Sequence, residues 1–223
     1  MSSDDVLFRE IDEDVRRDQM ANLWKRYGKA VIGVAFGVII AVSGLKAYEY
    51  WRVQQAEAAA RNLFAAAALN SEDKPEEAAK AYAALFDEHD GYGLIARFGQ
   101  AASLAFAGDQ NAAVAAYDAI VAANNAPPEL IAAAKLRAAW LLVDSASPAD
   151  LEARLAGLDD ANGPWRSVTR EILGLAYYRT GDLAKADAIL NELLADPEAP
   201  QQARARAQLL IGLMAPKLAK NAG

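Results

Sequence analysis

Residues 167–200 read SVTREILGLAYYRTGDLAKADAILNELLADPEAP. Apolar residues at helical spacing lie on both sides of Gly181-Asp182, with Leu173, Tyr177 and Tyr178 before it and Ala186, Leu190 and Leu193 after it. That period predicts two helices joined by a tight turn. Gly174 and Ala186 are small where the helices of such a hairpin cross, Tyr177 fills the gap beside them, and Gly181 permits the turn. Asp182 is placed to cap the second helix, and Pro197 closes the unit.

This order of residues resembles the tetratricopeptide pattern. Working outward, the Gly-Asp turn recurs at Gly108-Asp109, with Ala101, Leu104, Ala113, Tyr117 and Ile120 in the matching places. The two turns lie about two periods of ~34 residues apart, with a small excess, so one unit fits between them. Residues 131–143 supply its first helix and 148–158 its second, shorter one. A degenerate unit pairs 56–69 with 75–89. Residues 201–219 then cap the open end, or dock back on the chain's own groove, because Leu209, Leu210, Leu213 and Met214 need cover. Turn signals, not long loops, separate these helices. The predicted fold class is all-α: a single N-terminal transmembrane helix, then a tetratricopeptide-like α-solenoid of about four helical hairpins with a C-terminal capping helix.

Composition agrees. The 223 residues are 54% hydrophobic and 24% charged, enough for one anchor and one domain of ordinary size. Alanine and leucine dominate and β-branched residues are sparse outside one segment, so sheet is not expected. A net charge of -7 argues against nucleic-acid binding, which needs a basic surface. The lack of cysteine excludes disulfides, thiolate metal sites and cysteine nucleophiles together.

The β-branched exception is the apolar run AVIGVAFGVIIAVSGL at 30–45, uncharged and bracketed by Lys29 and Lys46. Trp24, Tyr27, Tyr48, Tyr50 and Trp51 flank it as interfacial aromatics do. The run is short against the ~20 residues a bilayer needs, but both lysines can snorkel outward and lengthen the span. Ala41-Val42-Ser43 has the form of a signal-peptidase site. However, the long acidic segment before the run, with Asp4, Asp5, Glu10, Asp12, Glu13, Asp14 and Asp18, is not a signal peptide's short basic leader. Arg16, Arg17, Lys25, Arg26 and Lys29 outnumber Lys46, Arg52 and Arg61, which puts the N-terminus in the cytoplasm. The expected organisation is a cytoplasmic tail at 1–28, a transmembrane helix at 29–50 and a periplasmic tetratricopeptide-like domain at 51–223. Gly33, Gly37 and Ala41 make a small-residue face that suits helix packing in the membrane, although glycine is common in membrane helices without that role.

The ordered set of Leu23-Trp24, Tyr27-Gly28-Lys29-Ala30, the aromatic anchor end at 48–51, Tyr92-Gly93-Leu94, Ala134-Lys135-Leu136-Arg137-Ala138-Ala139 and Gly163-Pro164-Trp165 is similar to the ancillary-subunit family of the SecYEG translocon. The resemblance covers nearly the whole chain. It implies a single-pass inner-membrane protein whose periplasmic domain links the translocon to periplasmic chaperones during protein export. The same features also suit a general membrane-tethered adaptor for other cell-envelope assembly machinery.

No nucleophile motif, phosphate loop or dinucleotide fingerprint is present, so neither an enzyme nor a cofactor is expected. Glu88-His89-Asp90 reads as a solvated helix end and not as a metal site, and Asp159-Asp160 and Asp12-Glu13-Asp14 as solvated charge. Partner binding is expected on the inner faces of the first helices of the hairpins. On the repeat frame these are Ile95, Phe98, Ala102, Lys135, Glu171, Leu175 and Tyr178, positions that inter-helix core residues also occupy.

Overall fold

The computed structural model describes residues 3–88, 91–123 and 126–221. Every regular element among them is α-helical: α1 (Ser3–Ser71), α2 (Pro75–Ala83), α3 (Tyr92–Phe106), α4 (Gln110–Ala123), α5 (Pro128–Leu142), α6 (Pro148–Leu155), α7 (Arg166–Thr180), α8 (Leu183–Ala195) and α9 (Gln201–Asn221). The chain divides into two compact units, Met1–Glu57 and Ala58–Gly223. The Glu88-His89-Asp90 cluster lies in part outside the described residues.

In the first unit, helix α1 presents its large apolar side chains outward. Val34, Ile40 and Leu45 are 67, 69 and 70% exposed. Among the described residues this is the one helix long and apolar enough to cross a membrane. A Cβ added at Gly33 or Gly37 would meet nothing within 4 Å, and Ala41 is exposed, so the small-residue face is open within the chain. Beyond the apolar run the Tyr48 and Trp51 rings lie 6.2 Å apart, and Lys46 pairs with Glu49 at 2.7 Å.

The second unit packs helices in sequence order. Ala66 from the end of α1 joins Ala78, Tyr82 and Leu85 around α2 and Ala96 of α3 in one apolar cluster. Ala101 of α3, Tyr117 and Ile120 of α4, and Ala134 and Ala138 of α5 form the next. A third cluster ties α5, α6 and α7 through Leu136, Leu151, Leu155 and Ile172. A fourth ties α7, α8 and α9 through Tyr177, Leu190, Leu193 and Met214. Alanine at the crossings lets the backbones approach, while leucine, isoleucine and tyrosine fill the space between.

The local signals explain the helix ends. Pro75, Pro128 and Pro148 each open a helix, where the missing N–H costs nothing. The Ser147 hydroxyl accepts from the Asp150 N–H, and Asp182 accepts from the Lys185 N–H, capping α6 and α8. Asp109 does the same for Ala112 N–H at 3.0 Å at the head of α4. Gly108 and Gly181 sit at φ of 84° and 85°, the left-handed region their shared turn requires. At Gly174 a Cβ would lie 2.6 Å from Leu190 Cδ2, so that glycine is demanded by the approach of α7 to α8.

Two helices are shorter than the sequence predicts. The span 75–89 ends its helix at Ala83 and continues as turns, and the span 148–158 ends at Leu155, two residues before the left-handed Gly157. Alanine-rich periodicity runs on through these turns, which is why the pattern alone overshoots.

Candidate functional site

The first helices of successive hairpins, α3, α5 and α7, share a cleft of about 560 Å³. Ala102 and Ala105 of α3 and Ala133 of α5 leave the room for it. Leu136, Trp140 and Leu141 of α5, with Trp165 and Val168 at the head of α7, supply its apolar walls. Leu136 is buried, and Trp140, Trp165 and Val168 pack against the cluster to which it belongs, so the walls are backed by core. Tyr117 of α4 reaches the cleft from below, its ring edge-on to Phe98 at 5.9 Å. Burial pushes the Tyr117 phenol up, and the nearby Arg137 charge pulls it partway back. Arg137 is exposed and is the cleft's one charged side chain.

Trp165 is held in place by its neighbour. The Arg166 fork donates from Nε and Nη2 to the two Asp196 carboxylate oxygens at 2.7 and 2.8 Å, and from Nη1 to the Gly163 carbonyl at 2.9 Å. Ser167 Oγ donates to the same carboxylate at 3.0 Å. The Arg166 guanidinium holds the Asp196 carboxyl well below the usual carboxylate range, with help from the Glu198 N–H and the Ser167 hydroxyl and against the cost of burial. This clamp fixes the loop before α7 to the loop after α8, and so fixes the wall of the cleft that Trp165 forms.

Residues 22–210 match the family model of the tetratricopeptide repeat-like domain. The chain belongs to that family. No curated protein and no solved structure matches it. Tetratricopeptide-like stacks present concave helix faces to other proteins, and this domain is a protein–protein interaction scaffold of that kind.

Of the groove positions drawn from the repeat frame, Ala102 lines the cleft of the tetratricopeptide-like domain. Ile95 lies in a separate hollow beside Phe86 and Pro127. Phe98 packs into the cluster around Tyr117, Leu175 and Tyr178 pack against the two later clusters, and all three are half-buried. Lys135 lines a cleft on α4, α5 and α6, next to Arg154, whose guanidinium pairs with Asp118. Glu171 is buried and accepts from Arg206 of α9, with Nη2 to Oε2 at 3.0 Å, so it serves the docking of the last helix. Lys135 and Arg137 are two residues apart on α5, which is about 200° around the helix axis. Lys135 and Arg137 therefore point to different sides. The signal that marks the cleft is the pair Trp140 and Trp165, bulky residues outside the repeat's small–large alternation.

Proposed function

We propose that this protein is a single-pass membrane protein, N-terminus cytoplasmic, whose tetratricopeptide-like domain binds partner proteins on the far side of an inner membrane. The station we assign to it is the SecYEG translocon, where it would link the channel to periplasmic chaperones. The observation that carries the binding function is the cleft on α3, α5 and α7, with aromatic walls backed by core and one exposed cation. Apolar walls with few polar groups suit side chains of a docked segment, and nothing in that lining calls for bond-making.

The anchor is supported by the exposed apolar residues of α1, a helix long and apolar enough to cross a membrane. Charge distribution around that stretch supports the orientation. The translocon assignment rests on the ordered motifs from Leu23-Trp24 to Gly163-Pro164-Trp165. A photo-crosslinker placed at Ala102 of the full-length chain in its membrane tests it. The expected adducts are translocon subunits or chaperones that meet emerging chains. Adducts only with other envelope-assembly proteins would replace that station with a general adaptor role.

A further inference from the structure

We propose that the cleft on α3, α5 and α7 docks a partner segment carrying an acidic side chain between apolar ones, with Arg137 selecting the acid. This rests on the cleft being a protein-binding surface, and it adds the chemistry of the occupant.

Charge complementarity commits the site to that occupant. Arg154, Arg166, Arg170 and Arg206 each hold a carboxylate of their own chain. Arg97 lies on the Phe86 ring, 4.3 Å from its centre. Arg137 has no such partner among the described residues, yet it stands in a cleft walled by Trp140, Trp165 and Leu141. In a chain of net charge -7, carboxylates are plentiful, yet among the described residues none pairs with the cation of the apolar cleft.

A guanidinium presents a planar fork that takes a carboxylate through two parallel hydrogen bonds. Apolar walls lower the local dielectric and strengthen that pair relative to open surface. A basic occupant would instead meet a like charge there. The Trp140 and Trp165 side chains and the space left by Ala102, Ala105 and Ala133 favour large aliphatic or aromatic residues on either side of the acid. Because the cleft crosses three helices, it accepts a continuing segment, and the acid is accordingly a side chain and not a chain end.

The test uses full-length protein in detergent and fluorescein-labelled peptides, blocked at both ends, with leucine and tryptophan around a central glutamate, glutamine or lysine. Binding is read by anisotropy. The glutamate peptide should bind about tenfold tighter than the glutamine peptide, as one charge-assisted pair provides, with the lysine peptide weakest. Arg137→Gln should bring the glutamate and glutamine peptides within about twofold of each other. Ala102→Trp, which fills the cleft from an exposed position, should weaken all three. Equal binding of glutamate and glutamine peptides, or a preference that survives Arg137→Gln, overturns the role of Arg137 and leaves the cleft as a binding surface. No binding by any peptide overturns both.

Discussion

At the scale of single residues, the crossing of α7 and α8 depends on an absent methyl group. A Cβ at Gly174 would lie 2.6 Å from Cδ2 and 2.8 Å from Cγ of Leu190, which is fully buried, so that side chain must shift within the core. Gly174→Ala should therefore lose about 1–3 kcal/mol to overpacking, against a gain of about 1 kcal/mol in helix propensity. Leu190→Ala alone should cost about 2–5 kcal/mol, and the double variant less than the two losses added, because the shorter side chain makes room for the new methyl. Urea midpoints of the four proteins measure this, and strict additivity would contradict the crossing. Gly174 and Ala186 are legible as a small pair from sequence spacing. The Arg166–Asp196 clamp is not, because its members lie far apart in the chain and no local pattern joins them.

That clamp makes a pH-dependent prediction. The Asp196 carboxyl is held below its ordinary range in the folded protein, so its contribution is fully present above the ordinary carboxylate pKa and is lost as the pH falls toward the folded value. The stability advantage of the unaltered chain over Asp196→Asn should accordingly shrink from about pH 5 down to about pH 2. Unfolding midpoints across that range provide the check, and a constant difference would show that the carboxylate charge does not stabilise the clamp.

At the scale of elements, the repeated Gly-Asp turn does the same work twice. Asp109 and Asp182 each accept from the N–H three residues on, at the heads of α4 and α8. Asp109→Ala and Asp182→Ala should each cost about 1 kcal/mol, the ordinary loss for an N-cap. Thermal unfolding would reveal it, and two silent substitutions would mean that water replaces the caps at no cost. These helix starts are legible because capping chemistry is local in sequence. Helix ends at Ala83 and Leu155 are less so, since alanine is permitted in helix and turn alike. The cleft is legible only in part: its position on the first helices follows from the repeat logic. Which side chains line it depends on the rotation of α5 about its axis, which tertiary packing through Ala134, Leu136 and Ala138 decides.

At the scale of the whole molecule, the largest demand on the surroundings comes from α1. Val34, Phe36, Ile40 and Leu45 are left more than half exposed, and an uncovered apolar stretch of this kind is unfavourable in water by roughly 25 cal/mol per Å². Lipid relieves that cost without any further protein contact, and the backbone of a helix is already satisfied for the bilayer. The proposed tethered binding domain rests on this apolar helix together with the cleft, whereas a free chain would have to hide the same surface in aggregates or partners. Alkaline carbonate extraction of membranes containing the unaltered chain tests the tether most directly. Full-length protein should remain in the membrane pellet, and recovery of the chain in the soluble wash would contradict the account.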